Sequence, residues 1–206
     1  LTGSICIMSG QVCATLSRVI VPRAKQQQFA DAFAEAMRQV RVGDPTDPAT
    51  QMGPLAMQRQ LHRVQGYIEK GRQEGARLVT GGGRPKHLDR GYYFEPTLFA
   101  DVDNRSVIAQ EEIFGPVICM IPADDLDDAV RIANDSIYGL NGAVFTPDAD
   151  AAYRVARRIR TGSIGQNGLK LDFAMPYGGF KQSGIGREGG PENFHAYTET
   201  KTILLD

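Results

Sequence analysis

The sequence carries almost no excess of charge: 23 Lys and Arg stand against 24 Asp and Glu, a formal net charge of −1. That balance argues against an electrostatic grip on nucleic acid or on an anionic membrane surface. It also lacks any apolar run near the roughly 20 residues that a membrane-crossing helix requires. Leu1 to Met8 is too short and too uncharged to read as a signal peptide. Cysteine is scarce: Cys6, Cys13 and Cys119 are widely spaced, odd in number and show no paired-ligand pattern. Both a disulfide framework and a zinc site are therefore disfavoured, and a reducing cytoplasm is the expected compartment. His62, His87 and His195 are scattered among polar neighbours and read as surface residues. Internal repeats and low-complexity tracts are absent.

What remains is ordinary globular composition. Over 206 residues, 42% are hydrophobic and 23% charged, enough for one domain with a substantial core. Arg18 to Val21 reads as a short buried strand closed by Pro22. From Lys25 to Val40, Phe29, Phe33, Met37 and Val40 recur at helical spacing and predict one apolar face. Gly43 to Pro54, rich in proline and glycine, reads as a loop. Met57, Leu61, Val64 and Ile68 predict a second helix. Strands are expected at Arg77 to Thr80, Tyr92 to Val102, Val117 to Ile121 and Gly142 to Phe145. Leu126, Ala129, Val130 and Ala133 mark a third helix. A fourth carries Ala152, Val155, Ala156 and Ile159, with Pro147 in its first turn and Gly162 as its C-terminal cap. Strands alternating with amphipathic helices predict an α/β fold with a mainly parallel, twisted sheet flanked by helices. The tail, Thr200 to Asp206, reads as a lone strand without a sequential partner.

The chemistry centres on Ser9-Gly10-Gln11-Val12-Cys13-Ala14. A lone cysteine is most often a small buried hydrophobe. A nucleophilic one needs its thiolate, hence partial exposure and nearby hydrogen-bond donors. Gly10 permits close backbone approach, and Ser9 and Gln11 make the surroundings polar. Three other stretches stand out. They are Gln110-Glu111-Glu112-Ile113-Phe114-Gly115-Pro116-Val117, the glycine-rich run from Pro176 to Glu188, and Ala196-Tyr197-Thr198-Glu199-Thr200-Lys201. Gly184 to Gly189 spells GxGxxG, but no strand precedes it and Gly190-Pro191 follows. It does not read as a dinucleotide-binding loop.

Together, in this order, the four stretches resemble the signatures of the aldehyde dehydrogenase superfamily. The resemblance implies that Cys13 is the nucleophile. It implies that Glu112 accepts hydrogen bonds from the nicotinamide-ribose hydroxyls of NAD or NADP, with Phe114 packed beside that ring. Gln60 and Arg63, on a helix that borders the cofactor in the family, become candidate dinucleotide contacts, although a solvated helix face reads equally well. Tyr177 takes the place of an aromatic lining the aldehyde tunnel, Phe173 is a further candidate in the preceding loop, and Val12 flanks the nucleophile. Family chains carry a dinucleotide-binding domain before the cysteine, whereas here twelve residues precede it and the first is Leu1. The expectation is a C-terminal portion of a longer enzyme, without that domain and inactive alone. Residues 1–195 would be the thiol-bearing domain and residues 196–206 an oligomerisation tail joining a homodimer or homotetramer. The small-molecule partner expected is an aldehyde, oxidised to its acid. An acylating relative that hands the thioester to coenzyme A and a non-catalytic module that keeps the fold are the alternatives.

Overall fold

The computed structural model describes residues 2–172 and 174–206. A short helix α1 (Thr2–Cys6) leads through a 3-10 turn to the strand β1 (Arg18–Pro22). Then come α2 (Gln26–Arg38), α3 (Gln58–Gln73), β2 (Arg77–Thr80) and β3 (Thr97–Ala100). The second half adds α4 (Val107–Gln110), β4 (Val117–Ala123), α5 (Leu126–Asn134), β5 (Asn141–Val144), α6 (Ala149–Ala156) and β6 (Ser163–Gln166).

Four strands form one sheet in the order β1-β4-β3-β2, with β1, β4 and β3 parallel and β2 antiparallel at the edge. A separate parallel pair joins β5 to β6. The architecture is α/β and mainly parallel, as the alternation of strand and helix patterns predicts. β4 is central and buried on both faces, which is why Val-Ile-Cys-Met-Ile is apolar without alternation. Its period of two still divides the core. Val117, Cys119 and Ile121 point into one cluster with Leu61, Val64 and Ile68 of α3; Ile118 and Met120 point into the other with Ala30 and Met37 of α2.

Several local expectations shift. In α2 the buried stripe is Gln26, Ala30, Ala34 and Met37, whereas Phe29 is 38% exposed. The bulky phenylalanines border the stripe and the small alanines face the sheet, because alanine lets the helix approach closely. Met57 precedes α3 and is exposed. The strand expected over Tyr92 to Val102 pairs only from Thr97 to Ala100, since Pro96 has no N–H to donate. Asp148 caps α6 by accepting from the N–H groups of Asp150 and Ala151, so Pro147 lies before the helix rather than in its first turn. That helix ends at Ala156, short of Ile159, and Gly162 has a different task. A side-chain carbon there would sit 1.5 Å from the Gly178 carbonyl oxygen, where the two segments cross. β6 has no apolar run to announce it. The tail forms no hydrogen-bonded element, and Ile203, Leu204 and Leu205 are exposed, because no other strand lies beside it.

The shifted stripe on α2 is testable by denaturant unfolding. Met37→Ala should cost about 2–5 kcal/mol, the range for emptying a core site. Phe29→Ala should cost less than about 1 kcal/mol, as border positions do. The reverse ranking would restore the face expected from the sequence pattern.

Candidate active site

The segment carrying Cys13 is a chain of tight turns. Met8 and Ser9 both have positive φ, 47° and 57°, and Gly10 follows at 72°. The Gln11 N–H donates to Met8 O at 3.1 Å, and the Thr15 N–H donates to Val12 O at 3.0 Å, which places exposed Cys13 on the tip of the second turn. Polar side chains of the same segment pin it to the loop before α3. Ser9 Oγ donates to Gly53 O at 2.8 Å, Gln11 Nε2 donates to Met8 O at 2.9 Å, and Gln11 Oε1 accepts from the Ala56 N–H at 3.0 Å. The Cys13 N–H donates to no acceptor among the described residues. It is therefore available to an incoming oxyanion.

Gly10 is also where the second motif arrives. A side-chain carbon on Gly10 would lie 2.2 Å from Gly115 O, and one on Gly115 would lie 2.4 Å from a Val64 methyl. This stacking brings Glu112, Phe114 and Gly115 to the same small cleft as Val12 and Cys13, a cavity of about 50 Å³ floored by Ile108, Val117 and Cys119. Glu112 is exposed, and Phe114 is 37% exposed at a φ of 59°. A carboxylate, an apolar ring and a thiol thus border one opening. That acceptor and wall chemistry fits a ribose diol and a flat nicotinamide beside the sulfur.

The third motif closes over the thiol from the other side. Tyr177 and Glu188 form an antiparallel bridge, the Tyr177 N–H donating at 2.7 Å and the Glu188 N–H at 2.8 Å. The Tyr177 hydroxyl lies near the Cys13 sulfur. Burial first, then the negative charge of Cys13 and the hydrogen bond to it, push that hydroxyl up to about 12. Asn141 Nδ2 donates to Ala14 O at 3.2 Å and ties the nucleophile loop to β5.

Of the other thiols, Cys119 is buried and donates to Ile108 O at 3.2 Å, and burial pushes it up to about 12. Burial also raises Cys6. Both are thereby weakened as nucleophiles. Gly184 to Gly189 follows a 3-10 turn and leads into another, with Gly184, Gly186 and Gly189 all at positive φ. It is a turn-rich connection, as read from the sequence.

The family model described as "Aldehyde dehydrogenase family" matches residues 1–203. The chain belongs to that family. It is 48% identical over 196 residues to a putative aldehyde dehydrogenase of Staphylococcus saprophyticus, covering 95% of this chain and 41% of that protein. It is 49% identical over 197 residues to the geranial dehydrogenase of Castellaniella defragrans, covering 96% and 41%. Among solved structures, the aldehyde dehydrogenase of Mycobacterium tuberculosis complexed with NAD+ superposes with a TM-score of 0.96 at 48% identity, over 100% of this chain and 42% of that one. A variant of aldehyde dehydrogenase C from Pseudomonas syringae, in complex with NAD+ and octanal, gives 0.93 at 43% identity, over 98% and 42%. The chain thus spans about two fifths of the length of these aldehyde dehydrogenases.

In this member of the family, Val12, Cys13, Glu112 and Phe114 line one cleft, and Tyr177 lies beside Cys13. Phe173 lies outside the described residues. Gln60 and Arg63 donate to backbone carbonyls of residues 112–114. Sequence reasoning missed Asn141, Tyr67 and Glu111. The first has no local pattern. Tyr67 was visible only as part of a helix, and Glu111 only as one of two adjacent acids.

Tyr177 generates a pH test. Its folded value of about 12 lies above the ordinary 10, so the folded chain keeps a proton that the unfolded chain releases. The resulting stabilisation is complete below pH 10 and is lost as pH rises from about 10 to about 12. Urea unfolding at about pH 9 and about pH 11 should therefore show a larger loss for wild type than for Tyr177→Phe. Equal losses would contradict the assigned environment.

Proposed function

We propose that this chain is the thiol-bearing portion of an NAD(P)-dependent aldehyde dehydrogenase that oxidises an aldehyde to a carboxylic acid. The observation that carries this reading is the single cleft bordered by Cys13, Glu112 and Phe114. The Cys13 thiolate adds to the aldehyde carbon, forming a C–S bond, while the carbonyl electron pair moves to oxygen. The Cys13 N–H, facing no other acceptor among the described residues, holds the resulting oxyanion of the thiohemiacetal. When bound, the dinucleotide would supply the hydride acceptor that oxidation of this adduct to a thioester requires. Glu112 orients the ribose, and Phe114 limits the placement of the ring. Val12 and Tyr177 shape the aldehyde path, and Tyr177 offers its hydroxyl to the sulfur. Water then cleaves the thioester, releasing the acid and restoring the thiol.

The first half of the machinery is proposed to lie upstream. In the family, the oxyanion asparagine and the general-base glutamate precede the cysteine. With them comes the dinucleotide domain, and the enzyme would work in the cytoplasm. The exposed tail would pair with a second subunit in a dimer or tetramer. Its apolar Ile203, Leu204 and Leu205, left open here, are the support for this.

Two outcomes test the reading. The purified 206-residue chain, given NAD+ and an aldehyde, should form no NADH; robust production would show that no upstream part is required. In the full-length enzyme, Cys13→Ala should abolish oxidation while NAD+ binding, measured calorimetrically, persists. Near-normal turnover in that variant would remove Cys13 from the mechanism.

A further inference from the structure

The Glu112 carboxylate makes no hydrogen bond or ion pair among the described residues. Its direction is therefore set by the backbone that carries it. That backbone is unusual, because Phe114 holds a left-handed φ of 59° that a side chain disfavours. Something must hold it there.

The holder is α3. Arg63 Nη2 donates to Glu112 O at 2.5 Å and Nε donates to Ile113 O at 3.3 Å. Gln60 Nε2 donates to Ile113 O at 3.1 Å and to Phe114 O at 2.6 Å. Three consecutive carbonyls thus accept from side chains three residues apart on one helix face. Arg63 is itself steadied. Its Nη2 donates to the Tyr67 hydroxyl at 3.1 Å, and its guanidinium lies 5.0 Å from the centre of the Tyr67 ring. The Tyr67 hydroxyl donates in turn to Glu111 Oε2 at 2.7 Å. Glu111 precedes Glu112 in the chain, so the hydrogen bonds leave the loop and return to it, closing a ring.

We propose that Tyr67 and Glu111, acting through Arg63, are positioning residues that fix the 112–114 backbone and so aim the Glu112 carboxylate and the Phe114 ring. The proposal rests on the reading of Glu112 as the ribose-holding group. Arg63 alone is a long side chain with many rotamers, and an exposed one gains little from a single bond. The stacked ring and the acceptor hydroxyl remove that freedom. Burial and the bond to Glu111 push the Tyr67 hydroxyl up to about 12, so it remains a donor throughout the neutral range.

Tyr67→Phe keeps the ring and its packing and deletes only the hydroxyl. Glu111→Ala deletes the acceptor, and Glu111→Gln restores one. In the full-length enzyme, Tyr67→Phe and Glu111→Ala should each raise KM for NAD+ and slow single-turnover NADH formation by about three- to tenfold, the size of one lost hydrogen bond. KM for the aldehyde and the rate of Cys13 alkylation by iodoacetamide should stay at wild-type values, and Glu111→Gln should recover most of the loss. Wild-type cofactor kinetics in both Tyr67→Phe and Glu111→Ala would overturn the proposal, as would a parallel loss in Cys13 alkylation, which would mark general disorder. Glu112→Gln separates the two layers. If it is impaired and Tyr67→Phe is not, the brace falls alone. If Glu112→Gln is itself unimpaired, the ribose reading falls and the brace falls with it.

Discussion

Gly10 and Gly115 meet with no side chain between them, and a Val64 methyl fills the far side of Gly115. Every distance in the cleft inherits this contact. It fixes how far the thiol turn stands from the segment carrying Glu112 and Phe114. It also ties both to α3, whose Leu61, Val64 and Ile68 are built into the core beneath β3 and β4. Ser9 and Gln11 then tie the turn to the loop before that helix, and Gln60 and Arg63 tie the helix to the second segment. The Cys13 turn and the loop carrying Glu112 and Phe114 are thus referred to one rigid element rather than to each other's flexible ends. Such shared anchoring is how a site on loops attains fixed geometry.

The glycine-rich segment is held by a different device. Gly162 leaves room for the Gly178 carbonyl, and the Phe180 N–H donates to Gly139 O at 2.8 Å. Lys181 Nζ donates to Asn134 O at 2.7 Å and Ser136 O at 2.9 Å, at and just past the end of α5. Desolvation lowers the pKa of that lysine, consistent with an ammonium drawn in among carbonyls. These bonds hold the segment whose bridge to Glu188 sets Tyr177 against the sulfur. The two-stranded sheet is therefore not an appendage. Through Asn141, β5 is tied to the backbone beside Cys13.

The periodic elements were legible in the sequence because burial writes a pattern. Val64 and Ile68 on α3, and the unbroken apolar run of β4, could be read directly. At Phe29 the spacing of the large apolar residues points to the border of the buried stripe rather than its centre, because close helix–sheet packing favours alanine. β6 escaped because Ser163 to Gln166 offers no apolar alternation. The site divided similarly. Cys13, Glu112 and Phe114 stood in motifs, whereas Tyr67 and Glu111, 44 residues apart, are partners only in three dimensions. No spacing rule reaches across such a separation. Gly162 shows the same limit: its glycine was evident, but the crossing segment that demands it was not.

Three residues around the cleft, Met8, Ser9 and Phe114, hold left-handed backbone conformations that glycine would adopt freely. Each such residue costs of the order of 1–3 kcal/mol. Stability and chemistry therefore pull in opposite directions at these positions. A laboratory evolution campaign that selects only for heat resistance has an easy gain available there, by drifting toward glycine or asparagine. At Phe114 that gain removes the ring that walls the cleft. A more thermostable descendant could thus emerge catalytically impaired with its fold intact. Under the proposed reading, screens for robust descendants of the full-length enzyme need turnover as a second criterion from the first round.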